Sequence, residues 1–120
     1  RACITPIGAL EGKEVTTVDG LPARWAAQQG LSAAQADDGL HPVQEAWVEE
    51  QVPQCGVCQF GMMIKVTELL EANPSPSDAE ISAALTTSGP SAHLCRCGSY
   101  AAILEGARRA AELMREGAGQ

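Results

Sequence analysis

The chain has 120 residues, 45% of them apolar but only 3% aromatic, which is enough for one domain with a modest core of Ala, Leu, Val, Ile and Met. Fifteen acidic residues against eight basic ones leave a net charge of −7, a surface that does not neutralise a phosphate backbone, so nucleic acid is excluded as a partner. No run approaches the ~20 apolar residues that span a bilayer. No charged start followed by an apolar stretch marks a signal peptide, so the expected location is the cytoplasm, with the periplasm left open.

Residues 1–20, "RACITPIGALEGKEVTTVDG", carry Ile4, Ile7, Val15, Thr16, Thr17 and Val18, strand formers interrupted by Pro6 and Gly12. They predict two short strands joined by a turn near Glu11 and Gly12. Two strands alone are marginal in water, so their sheet would be completed by residues before Arg1 or by another chain. The start lacks an initiator Met and reads as the middle of something: a processed piece, a truncated chain or one half of a longer subunit. Residues 21–40 mix Pro, Gly, Gln and Ala and read as a connector with one helical turn anchored by Trp25.

From His41 onward the pattern is helical. Pro42 suits a first helical position, Val43, Ala46 and Trp47 share one face, and Pro53 ends the segment "HPVQEAWVEEQV". A second helix is predicted from about Cys58 to Ala72, with Phe60, Met63, Ile64, Thr67 and Leu70 as its apolar stripe. Ser77 with Glu80 three residues later is a capping box that opens a short third helix, about Asp78 to Leu85. "TTSGPSAHL" is a loop by its Gly, Pro and Ser content. The fourth helix starts at Ser99, a good N-cap, and runs to about Arg115, where Arg108, Arg109 and Arg115 complement its dipole. The tail "EGAGQ" is expected to fray. His41 reads as a helix-start residue.

Four of the five cysteines lie in "QCGVCQFG" and "HLCRCGSY", at two predicted helix junctions. Cys95 and Cys97 are too close to pair with each other without strain. Cross-pairing of the two runs needs an oxidising compartment, which an odd cysteine count and the lack of a signal peptide disfavour. Zinc is a second reading, since C-x-x-C and a second pair make a tetrahedral Cys₄ set, although a C-x-C arm is unusual for it. The third is a [2Fe–2S] cluster. Its negative charge needs N–H donors, which helix N-termini supply. Gly56, Gly61 and Gly98 let backbone approach sulfur, and Arg96 adds a cation between two thiols. Each feature also has an ordinary reading as turn residue or solvated side chain; together they tip the balance toward iron–sulfur.

At these residues the sequence resembles a known family. "VQEAWVEEQVPQCGVCQFGMM", "ELLEANPSPSDAEI" and "LCRCGSYAAI" look like the iron–sulfur subunit of the molybdenum hydroxylases, the xanthine oxidase family, over nearly the whole chain. The resemblance implies a mainly α fold, a four-helix bundle over residues 41–120 that holds the proximal [2Fe–2S] cluster through Cys55, Cys58, Cys95 and Cys97. It also implies that Gln54 touches the pterin of a molybdenum cofactor on a larger subunit, and that Cys97 is the ligand nearest to it. "RACITPI" and "EVTTVDGL" resemble the end of the family's N-terminal β-grasp domain, which makes residues 1–20 its remnant and residues 21–40 the connector. Cys3 then matches the last ligand of a distal, plant-type [2Fe–2S] cluster, whose other ligands an N-terminal fragment would supply; otherwise Cys3 is a free thiol. Two positions depart from the family pattern: Val57, often aromatic, and His93, often Asn. For His93, helix capping or solvation is preferred over donation to sulfur.

The implied function is electron transfer. A molybdenum subunit would oxidise a substrate with water as the oxygen source. This chain would pass electrons through the proximal cluster to a distal one and then to FAD in a third subunit or to another acceptor. The chain has no nucleotide-binding glycine loop and no acid–base pair of its own. The rivals are a structural Cys₄ zinc module in a protein-interaction role and a thiol–disulfide enzyme using Cys55 and Cys58, which lacks the βαβ setting of such motifs.

Overall fold

In the computed structural model, which describes residues 2–32, 39–89 and 92–118, five α-helices follow one another. They are α1 (Leu21–Gln28), α2 (Pro42–Glu49), α3 (Gln59–Ala72), α4 (Asp78–Thr86) and α5 (Tyr100–Ala118). The last four are the helices predicted from residues 41 onward, and the architecture is mainly α as expected.

Local signals explain most boundaries. At α4 the Ser77 N–H donates to Glu80 Oε2 at 2.7 Å, and the Glu80 N–H donates to Ser77 Oγ at 3.3 Å, the capping box read from the sequence. At α2 the same exchange uses a histidine. Val43 N–H donates to His41 Nδ1 at 3.1 Å, while His41 N–H donates to Gln44 Oε1 at 3.0 Å. α2 stops three residues short of the predicted end. Val52 N–H reaches back to the Trp47 carbonyl and Gln51 N–H to that of Val48, with Gln51 at φ 48°, a left-handed terminating turn that acts before Pro53 does. Its apolar partner is Val52, which is fully buried.

The core lies between α2, α3, α4 and α5. Val43, Ala46, Trp47 and Val52 meet Met62, Val66 and Leu70, Ile81 and Leu85, and the α5 stripe Ile103, Ala107, Ala110, Ala111 and Met114. α2 packs along α5 at close range. Gly106 permits this, since a Cβ there would lie 2.8 Å from Val52 Cγ2 and 3.1 Å from the Trp47 ring. Small residues thus do the work that the aromatic-poor composition demands.

Several expectations are corrected. The described part of residues 1–20 has no strand; it forms three short 3₁₀ turns at Ala2–Ile4, Ile7–Leu10 and Val18–Gly20. No side chain of residues 3–20 is buried, so Val15, Thr16 and Val18 find no second layer and their β propensity goes unrewarded. The connector holds two turns of helix rather than one. Leu21 and Ala26 of α1 are buried, and Gly30 at φ 72° closes it. Trp25 does anchor it, edge-on to His41 with ring centroids 5.5 Å apart. Arg24 (2.7 and 2.8 Å) and Gln28 (2.7 Å) hold α1 to Glu71 of α3. Residues 33–38, the rest of the connector, lie outside the described residues.

The stripe of α3 is rotated from the predicted one. Gln59, Met62, Val66, Thr67 and Leu70 face inward, while Phe60 is exposed. Arg108 and Arg109 do not serve the α5 dipole. Arg108 pairs with Asp78 and Glu105, and Arg109 with Glu49 and Glu112, from the middle of the helix. Arg115 alone of the three is in the last turn, donating to the Pro74 carbonyl at 2.9 Å. α5 continues through Glu116 and Gly117, where the sequence predicts fraying; Gly119 and Gln120 lie outside the described residues.

Candidate metal centre

The loop 53–58 between α2 and α3 carries Cys55, and Cys58 is the N-cap of α3. The segment before α5 carries Cys95 and Cys97. Gly56 at φ 84° and Gly98 at φ 73° turn the chain beside the cysteines in a conformation that side chains rarely adopt, with open space where a Cβ would stand. Folding brings the two loops face to face. The Cys97 thiol bears on the ionisation of Cys55, and the Cys95 thiol on that of Cys58. The four thiols meet as two pairs, and among the described residues no three Cys, His, Asp or Glu side chains already close on one point.

The pairs differ in depth. Cys95 is buried and belongs to the core, Cys58 is half-buried, and Cys55 and Cys97 are exposed. They also differ in donors. Cys95 Sγ lies 3.1 Å from Ser99 Oγ and accepts the Ser99 N–H at 3.4 Å. Cys58 Sγ accepts from Gln59 Nε2 at 3.2 Å. At the outer sulfurs backbone N–H groups favour the anion, that of Val57 at Cys55 and that of Cys55 at Cys97. The Cys95 backbone is held in turn by the Tyr100 hydroxyl, which accepts its N–H at 2.8 Å.

These donors decide where negative charge is welcome. The Ser99 hydroxyl and N–H pull the Cys95 thiol down to about 7. The Val57 N–H and the Cys97 thiol lower Cys55. Burial, then the neighbouring Cys95, raises Cys58. The Cys55 N–H favours the Cys97 anion, yet the Cys55 thiol, burial and the nearby sulfurs leave Cys97 raised. Four thiols of unequal acidity, facing each other across N–H and O–H donors at two helix starts, suit a polynuclear anionic centre that spreads its charge over all of them.

The other expected site residues are placed as follows. Gln54 is exposed beside Cys55, and Arg96 is exposed between Cys95 and Cys97. Cys3 is exposed on the first 3₁₀ turn, and among the described residues the thiol–thiol interactions do not involve it. The His93 backbone N–H donates to the Leu85 carbonyl at the end of α4 at 2.8 Å, while its side chain is half-buried. Its ring lies over Gly61, 3.5 Å from where a Cβ would stand, and its buried Nδ1 has no hydrogen-bond partner among the described residues. Burial, reinforced by the nearby Lys65 charge, lowers its pKa. Sequence reasoning misses Gln59 and the sulfur-directed role of Ser99. The only sign of Gln59 in the sequence is an amide at the start of a predicted buried stripe.

Residues 27–108 match the family described as "[2Fe-2S] binding domain". The chain belongs to that family. Similar proteins include subunits of an oxidoreductase, a dehydrogenase and a hydroxylase. The alpha subunit of isoquinoline 1-oxidoreductase from Brevundimonas diminuta is 40% identical over 112 residues, covering 93% of this chain and 61% of the relative. A nicotinate dehydrogenase subunit from Pseudomonas putida is 40% identical over 116 residues, 97% of this chain and 62% of the relative. The small subunit of nicotine 6-hydroxylase from Paenarthrobacter nicotinovorans is 37% identical over 105 residues, 88% of this chain and 52% of the relative. The chain therefore spans between half and two thirds of the length of these curated relatives. No helix among the described residues is long and apolar enough to cross a membrane.

Proposed function

We propose that this [2Fe–2S]-binding domain is the electron-transfer part of a multi-subunit molybdenum hydroxylase, with Cys55, Cys58, Cys95 and Cys97 as the cluster ligands. The observation that carries the reading is the facing of the two cysteine loops, with the inner sulfurs Cys58 and Cys95 already bonded to the Gln59 amide and to the Ser99 hydroxyl and N–H. When bound, such a cluster accepts and releases one electron at a time. The chain's own residues hold it, exclude water from its inner side and stabilise its charge.

The outer side supports a docked partner. Val57, Phe60 and Leu94 are large apolar side chains next to the ligands, and they are 81%, 63% and 76% exposed. A larger subunit carrying a molybdenum–pterin cofactor would cover them, with exposed Gln54 and Cys97 nearest the pterin. Electrons would then pass to a second [2Fe–2S] cluster, to which Cys3 contributes with residues supplied by the rest of the subunit or by a separate N-terminal fragment, and on to FAD in another subunit or to another acceptor. Substrate chemistry belongs to the large subunit. The relatives' names, with isoquinoline, nicotinate and nicotine, point to nitrogen heterocycles as the substrate class of the holoenzyme.

The test is optical. The purified protein is expected to be red-brown and to bleach with dithionite. A colourless protein holding one zinc ion and no acid-labile sulfide would replace this reading with the Cys₄ zinc module.

A further inference from the structure

We propose that Gln59 is a positioning residue that donates a hydrogen bond from its side-chain amide to the Cys58 sulfur and raises the reduction potential of the cluster, with Trp47 setting the direction of that amide. The inference rests on the reading of Cys58 as a cluster ligand.

Gln59 is a polar residue where α3 would ordinarily place an apolar one, in line with Met62, Val66 and Leu70. Both it and Trp47 are buried. A buried amide persists when both of its ends are paired. Here the Trp47 indole N–H donates to Gln59 Oε1 at 2.7 Å, and Gln59 Nε2 lies 3.2 Å from Cys58 Sγ. The two ends of an amide are usually hard to tell apart by position. In this pair chemistry decides. An indole N–H is a donor only, so the atom facing it must be the carbonyl oxygen. The planar amide then turns its NH₂ toward the sulfur. The reverse orientation would set N–H against N–H at one end and a carbonyl oxygen against a thiolate at the other. Trp47 is in turn held in the core by Gly106, whose missing side chain leaves room for its ring.

Reduction of the centre adds one electron and breaks no bond, and part of the added charge falls on the ligating sulfurs. A donor aimed at a sulfur favours the reduced state over the oxidised one, so it raises the potential. Gln59 is thereby a redox-tuning residue for the inner side of the site.

The test uses the intact cluster-loaded protein, its Gln59→Leu and Trp47→Phe variants, and redox titration followed by EPR of the reduced cluster. Gln59→Leu is expected to keep the iron content and shift the midpoint potential downward. Trp47→Phe keeps the amide but frees it to turn, so a smaller downward shift is expected. Unchanged potentials at full iron content overturn the proposal. Should Gln59→Leu lose its cluster, wild-type protein labelled with ¹⁵N at the glutamine side chains keeps the question open to measurement. Pulsed EPR is expected to show a ¹⁵N coupling that weakens in Trp47→Phe, and the absence of any such coupling overturns the proposal. Failure of the underlying reading looks different: a wild-type protein without iron.

Discussion

The thiol site has an inner and an outer half, and they are built differently. Cys58 and Cys95 lean on the core and receive side-chain donors from Gln59 and Ser99. Cys55 and Cys97 stand in the open, where backbone N–H groups of the 53–58 loop, those of Val57 and Cys55, favour their anions. The inner half is part of what folds the protein. The outer half is a surface bordered by exposed apolar side chains. Ligand loss is therefore expected to have different structural consequences on the two sides, although either loss removes the cluster.

The largest effect should come from the ligands themselves. Cys95→Ser and Cys97→Ser are each expected to lose the iron of this site. Cys95→Ser should also destabilise the metal-free fold by about 1–3 kcal/mol, because a hydroxyl replaces a sulfur in the core, while Cys97→Ser should leave it nearly unchanged. Urea unfolding of the metal-free proteins checks this, and equal losses would abolish the distinction between halves.

Acid should strike the inner half through its support. His41 is fully buried, caps α2 through a neutral Nδ1, and is lowered to about 4 by burial, with the Glu71 charge opposing and Arg24 assisting. Between that value and ~6.5 the unfolded chain binds a proton that the folded one refuses, so stability falls as pH is lowered through this window. From pH 7 to pH 5 the loss is on the order of 2 kcal/mol. Glu71, Asp78 and Glu80 are lowered by their partners, so what they add is present above the ordinary carboxylate range and is lost only at lower pH. His41→Asn retains an N-cap and is expected to lose most of the slope; His93, lowered by its own burial, supplies a remainder common to both proteins. Identical slopes in the two proteins would remove His41 from the account.

Two smaller changes sharpen the contrast. Gly106→Ala pushes a methyl into Val52 and the Trp47 ring and should cost about 1–3 kcal/mol, loosening iron although no ligand is touched. Ser99→Ala removes the hydroxyl beside Cys95 and leaves the backbone N–H in place. Its expected cost is about 1 kcal/mol, with iron retained and the EPR signal of the reduced cluster altered. A signal identical to wild type would show that the hydroxyl does not act on the sulfur.

What can be read from the sequence is local. The Ser77–Glu80 box, Pro42 and the cysteine spacing each carry their meaning within a few residues, and they locate four helices and both loops. What requires three dimensions is less legible. Val15 to Val18 have strand chemistry, but a strand needs a neighbour, and among the described residues they have none. Phe60 looks like a core residue until Trp47, at the other end of the loop, draws Gln59 inward instead. His41 is recognisable as a helix start, whereas its burial against Trp25 is not. Ser99 reads as a cap, yet the sulfur four residues earlier occupies its hydroxyl.

The central claim, that Cys55, Cys58, Cys95 and Cys97 hold one [2Fe–2S] cluster, is tested most directly by iron and acid-labile sulfide per chain in wild type and in Cys95→Ser. Taking the difference removes any contribution from a second cluster. The account predicts a difference of about two irons and two sulfides. An unchanged iron content, or the loss of a single zinc ion with no sulfide, would contradict it.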